Sequence, residues 1–166
     1  MAARPKPYFW LTIRRCVYVY CASEVIGQHL GEFILCSGPS MHPTIHDGDV
    51  FVAERLSVKL ANLHRGDIVG ARSPIDNILM CKRLTHKELD PIYDCELLPR
   101  GRIPRGHGFL QGDNAALSID SRKFGPVPMG LVENRFVLRI WPLNRFGWFS
   151  NHWFWEKENP TISGVP

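Results

Sequence analysis

Ser40 and Lys82 carry the sharpest chemistry in this chain. Ser40 lies in Ser37-Gly38-Pro39-Ser40-Met41-His42-Pro43-Thr44, and Lys82 lies in Met80-Cys81-Lys82-Arg83. A serine hydroxyl is a weak nucleophile until a base takes its proton. A lysine amine can be that base if it is neutral near the working pH. Its free pKa of about 10.4 must then fall by roughly three units, at about 1.36 kcal/mol each. Burial among apolar groups disfavours the ammonium form and delivers shifts of that size. The run Ile78-Leu79-Met80-Cys81 supplies such surroundings. Taken singly, each residue also has an ordinary reading. Ser40 can be a turn serine, and Lys82 a strand lysine whose stem snorkels to water.

The elements around the pair must hold it still. Pro39 presets its own φ, and Pro43 restricts His42 to an extended backbone, so Ser40 sits on a stiff loop ahead of a strand. His42 and His46 offer a rival base but read as loop residues, while His64, His86 and His107 read as surface residues. From Ser37 onward the pattern is short strands between turns. Asp47-Gly48-Asp49 leads into Val50–Ala53, and Arg65-Gly66-Asp67 into Ile68–Ala71. Further strands are predicted at Ile78–Leu84, Gly108–Gln111 and Arg135–Trp141, the last stopped by Pro142, which cannot donate to a ladder. This predicts a mainly β domain of short antiparallel strands.

Composition bounds the rest. The chain has 166 residues, 45% of them apolar and 22% charged, with 13 prolines, which fits one turn-rich globular domain. Its net charge of +4 comes from scattered basic residues without a nucleic-acid motif, so no nucleic-acid partner is expected. The cysteines, at 16, 21, 36, 81 and 95, are too spread for a disulfide scaffold, and no Cys-x-x-Cys pair exists to start a zinc site. Their redox state stays open.

Residues 1–31 differ from the remainder. No acidic residue occurs before Glu24, while Arg4, Lys6, Arg14 and Arg15 are basic, the bias of a targeting or membrane-anchoring segment. The apolar stretch from Phe9 to Leu35 is interrupted by Arg14, Arg15, Glu24, Gln28 and His29. A central charge costs about 3 kcal/mol on insertion scales, so the helix either spans a membrane or lies on a membrane or on the domain. Residues 32–166 read as the catalytic domain, ending in an aromatic tail. In that tail either Trp141 and Phe146 pack in the core, or Trp148 to Trp155 meet a membrane or a partner.

A third segment joins the first two: Gly112-Asp113-Asn114, then Ser118-Ile119-Asp120-Ser121-Arg122, then Gly125-Pro126-Val127-Pro128. Ser-Met-x-Pro-Thr, Lys-Arg and this box, in that order, resemble the type I signal peptidase family over about residues 36–143. The form Cys36-Ser37-Gly38-Pro39-Ser40-Met41 and the compact size resemble its mitochondrial inner-membrane members. The resemblance implies a signal-peptidase-like β domain attached near its N-terminus to the mitochondrial inner membrane and facing the intermembrane space. The implied activity is removal of presequences by a Ser-Lys dyad, with no metal and no organic cofactor. The implied partners are presequence-bearing proteins, the membrane, and a related second catalytic subunit in a heterodimer.

By the same resemblance Ser40 is the nucleophile and Lys82 the general base. Ser118 hydrogen-bonds the lysine amine, Asp120 and Arg122 form a supporting ion pair, and Asp113 with Asn114 forms a buttressing turn. Substrate lies between Phe33–Cys36 and Ile78–Met80, with Phe33, Leu35, Ile78 and Met80 as its contacts. The Ser40 N–H is the first oxyanion donor. Gly38 stands where some bacterial members have a serine donor, so the second is unassigned. His86-Lys87-Glu88-Leu89-Asp90 replaces the family's Gly-x-Pro-Gly-Asp turn and retains only Asp90. The other function class is a non-catalytic or scaffold subunit of such a peptidase complex. A self-cleaving Ser-Lys repressor is disfavoured, since no DNA-binding segment precedes Ser40.

Overall fold

The computed structural model describes residues 7–29, 31–92, 97–98 and 101–149. Cys95 and the aromatic residues Trp153 to Trp155 lie outside them. A helix, α1 (Pro7–His29), opens with proline in its first turn, where a missing N–H costs nothing. Trp10, Leu11, Val17, Tyr18, Val19 and Tyr20 on it are exposed. Among the described residues no helix is long and apolar enough to cross a membrane.

Eight antiparallel strands follow among the described residues: β1 (Glu32–Leu35), β2 (Val50–Glu54), β3 (Ile68–Arg72), β4 (Leu79–His86), β5 (His107–Gln111), β6 (Val127–Pro128), β7 (Val132–Trp141) and β8 (Gly147–Trp148). Their spatial order is β1-β2-β7-β3-β4-β5-β6, with β8 against β7. Two short helices, α2 (Leu56–Lys59) and α3 (Ser121–Phe124), sit in the connections. The expected mainly β architecture is therefore observed. Strands β4 and β7 run longer than their apolar patterns indicate, because His86 and Val132–Asn134 pair despite their mixed polarity.

The core divides into two clusters. Cys36, Met41, Ile45, Phe51, Ala53, Ile68 and Phe136 form one; Leu63, Val69, Ala71, Leu84, Leu110, Val127 and Val132 form the other. Ile68 enters the first and its neighbour Val69 the second, so β3 is covered on both faces, as the alternation of side chains requires.

The turn after β4 departs from the family's glycine pattern yet still closes. Asp90 Oδ2 accepts the Lys87 N–H, and Asp90 pairs with Arg65. Leu89 takes the left-handed conformation, φ 67°, that a glycine would take there. His86 is half-buried and packs edge-on to Phe109 at 5.9 Å, so it is not a surface residue. Trp141 and Phe146 are exposed rather than in the core. Phe149 occupies that place instead, its ring 5.1 Å from Phe51.

Candidate active site

The loop between β1 and β2 presents Ser40. Gly38 has φ 100°, a conformation that leads into a single 3₁₀ turn over Pro39–Met41. The Gly38 N–H donates to Asp47 Oδ1 at 2.9 Å, which ties the two ends of the loop together. Deeper, the fully buried Asp49 accepts the His46 N–H at 3.0 Å and an Arg145 N–H at 2.6 Å. Arg139 lies 3.6 Å from the same carboxylate and donates to the Thr44 carbonyl at 2.7 Å. Its guanidinium is stacked on Phe51 and Phe149, so β7 clamps the loop through charge and ring contacts together. His46 Nδ1 is engaged by Arg145, and His42 meets the His46 ring edge-on at 4.2 Å. The histidines thus belong to the clamp.

From β4, Lys82 reaches this loop. Its Nζ donates to Ser40 Oγ at 2.8 Å, and the side chain is only 4% exposed. Burial pushes the amine below its ordinary value of 10.5; Cys81, Asp120 and Asp113 oppose that shift, and Arg122 adds to it. With the amine neutral, the same 2.8 Å separation lets the serine hydroxyl donate to nitrogen. The arrangement can then move a proton from Oγ to Nζ.

The third box packs behind the pair. Arg83, next to Lys82, forks onto Asp113 with bonds of 2.8 and 2.6 Å and also donates to the Gly66 carbonyl. The Asn114 N–H donates to the Ser40 carbonyl at 3.0 Å. Asp113 thereby links the lysine strand to the serine loop, a role that needed Arg83 as well. Asp120 is fully buried and pairs with Arg122. Burial alone would raise its carboxyl. The Arg122 guanidinium first, then the Ser118 side chain and the Gly112 N–H, outweigh burial and hold the carboxyl below its usual range.

Ser118 differs from its expected geometry. Its Oγ is buried with no hydrogen bond of good geometry, so the bond to the lysine amine is not made. The hydroxyl instead fills the space beside Gly112, where a Cβ would lie 2.3 Å from it.

A cleft of about 260 Å³ runs past Ser40 and Lys82. Leu35 and Met80 line it, joined by Ile34 and Leu79. Phe33 and Ile78 do not line it and stand exposed, each one residue short of the lining runs that begin at Ile34 and Leu79. In β4, Leu79–Lys82 pair only with β3, because pairing with β5 begins at Arg83. Among the described residues strand β1 pairs only with β2, so two open strand edges flank the cleft. Among the described residues no three His, Cys, Asp or Glu side chains converge as a metal site.

A mainly β fold, a serine within reach of a buried lysine, and an ion-paired box behind them define a class. The chain belongs to the signal peptidase family, peptidase S26, a family of serine peptidases, which it matches over residues 10–92 and 82–141. It is 42% identical over 132 residues to mitochondrial inner membrane protease subunit 1 of Xenopus tropicalis, covering 76% of this chain and 79% of that protein. It is 39% identical over 160 residues to mitochondrial ATP-independent inner membrane protease subunit 1b of Arabidopsis thaliana, covering 86% and 94%. Mitochondrial inner membrane protease subunit 2 of Danio rerio is 36% identical over 132 residues, covering 75% and 67%.

Proposed function

We propose that this chain is a Ser-Lys endopeptidase that removes presequences from proteins delivered to the mitochondrial intermembrane space. The observation that carries this reading is the 2.8 Å approach of the buried Lys82 amine to Ser40 Oγ. Neutral Lys82 takes the Ser40 proton while Oγ attacks the scissile carbonyl carbon. The resulting ammonium gives that proton to the leaving amine as the peptide bond breaks. Water then enters and loses a proton to Lys82 as it attacks the acyl carbon, and Lys82 returns that proton to Ser40 Oγ as the acyl group leaves. The Ser40 N–H stabilises the oxyanion; losing one such donor typically costs about 10²–10³ in rate.

Asp113, Asp120 and Arg122 act by position, joining the third box to Lys82 and Ser40. Ser118, buried in the same box, is the group that the resemblance assigns to aim the amine. The presequence lies extended between β1 and Leu79–Lys82, adding main-chain hydrogen bonds to open strand edges while alternate side chains enter the cleft. Leu35 and Met80 contact it there, with Phe33 and Ile78 at the rim.

Relatives named as subunits 1 and 2 of one protease support a related subunit as partner. Exposed apolar residues on α1 support attachment to the membrane. Cleavage of a presequence-bearing substrate, with and without the related subunit, tests this against Ser40→Ala. Loss of cleavage in the variant supports the dyad. Undiminished cleavage by the assembly carrying Ser40→Ala makes the chain a scaffold.

A further inference from the structure

The floor of the cleft holds two thiols that peptide cleavage leaves idle. Cys36 directly follows β1 and Cys81 directly precedes Lys82 in β4, and both line the cleft. Cys81 packs against the core cluster that contains Cys36. The two thiols are neighbours, and neither is in a disulfide. The contact is asymmetric. Cys81 beside it holds the Cys36 thiol below its ordinary value, against burial and Asp49, with help from Arg139. The same neighbour and burial push Cys81 up. A thiolate-prone sulfur beside a protonated one suits exchange with a disulfide, because the first attacks and the second resolves.

We propose that Cys36 and Cys81 form a redox modification site for small aliphatic disulfides, and that its closure switches the peptidase site off. The second half rests on the Ser40 and Lys82 reading above. Cys36 sulfur attacks one sulfur of the small disulfide and releases its other half as a thiol. Cys81 gives its proton to solvent and attacks the Cys36 sulfur. The Cys36–Cys81 bond forms, and the second half leaves as a thiol. Two protein thiols are oxidised to one disulfide while one small disulfide is reduced to two thiols.

Closure must move the site. A disulfide spans about 2.05 Å, shorter than any non-bonded contact of two sulfurs, so it draws β4 towards the end of β1. Cys81 adjoins Lys82, and Cys36 leads into the Ser40 loop, so the separation between amine and hydroxyl changes with it. A misplacement of about 1 Å can cost about 100-fold in rate.

The test uses the full chain carrying Cys16→Ser, Cys21→Ser and Cys95→Ser, treated with bis(2-hydroxyethyl) disulfide. Mass spectrometry after alkylation maps the products, and cleavage is measured before oxidation, after it, and after dithiothreitol. Expected are a Cys36–Cys81 cross-link without retained hydroxyethyl groups, about 100-fold slower cleavage, and recovery on reduction. The same cross-link should form in Ser40→Ala and be absent in Cys81→Ser. Mixed adducts without a cross-link, or a cross-link that leaves cleavage unchanged, overturn the proposal. If the reduced chain and its assembly never cleave, the peptidase reading fails and the switch with it, while the cross-link map alone decides the thiol site.

Discussion

Replacing Gly112 by alanine would place one methyl group between the two segments that meet behind Ser40. A Cβ there would lie 2.5 Å from the Ser40 carbonyl oxygen, 2.3 Å from Ser118 Oγ and 2.6 Å from Ser118 Cβ. None of these atoms is the far end of a flexible side chain. The Ser40 carbonyl also accepts the Asn114 N–H, and Ser118 is 2% exposed. Ordinary contact begins near 3.4 Å, so the Ser40 backbone and Gly112 must part by roughly 0.9 Å. Nucleophile and base then lose register at a cost of about 100-fold in rate, while overpacking costs about 1–3 kcal/mol. Gly130→Ala is the control, since a Cβ there meets nothing within 4 Å. The assay compares kcat/KM on a presequence peptide with the thermal midpoint for both variants. Expected is a rate lost in Gly112→Ala well below its melting temperature, with Gly130→Ala unchanged. Wild-type rate and stability in Gly112→Ala would refute the argument, and equal losses in both variants would show that position behind Ser40 is irrelevant.

Lys82→Met keeps the side-chain volume and removes the amine. Cleavage should fall to the Ser40→Ala background while urea denaturation shows stability kept. In the native chain cleavage should rise with pH as one group loses its proton, with a midpoint below the ordinary 10.5, because only neutral Lys82 accepts the Ser40 proton. A pH–rate profile that is flat, or falls with rising pH, contradicts this. Leu89→Gly relieves a left-handed residue at 48% exposure, φ 67°. After the added entropy of glycine it should stabilise by about 0.5–1 kcal/mol, read from the denaturation midpoint. Asp120 has its carboxyl depressed in the fold, so its contribution is present above the unfolded value near 3.9 and is lost as pH falls through the folded value. Arg122→Met should move acid unfolding to higher pH and cost about 1–3 kcal/mol at neutral pH. An unchanged acid midpoint would show that the pair carries no stability.

Much was legible locally. Gly-Asp turns before Val50 and Ile68, and Pro142 after a β run, are statements about neighbouring residues, and strands stand where they place them. The three boxes likewise name their own residue types, from Ser40 through Lys82 to Asp120 and Arg122. Some local signals were outweighed. Trp141 and Phe146 are apolar yet exposed, while Phe149 packs on Phe51, because the path after Pro142 sets which ring meets the core. Phe33 and Ile78 share the alternation of Leu35 and Met80 yet miss the cleft, because it begins one residue further along each segment, at Ile34 and Leu79.

The amino-acid sequence by itself determined where the chain turns, which segments extend, and which residues are chemically able to form the site. Tertiary structure alone decided that Lys82 meets Ser40 at 2.8 Å, that Arg83 forks onto Asp113, that Gly112 lies against the Ser40 carbonyl, and that Cys36 and Cys81 line one cleft. Each of these pairs joins residues from different segments of the fold. Turn and strand preferences act over a few residues, whereas such meetings depend on the register of strands distant in sequence, which no local preference encodes.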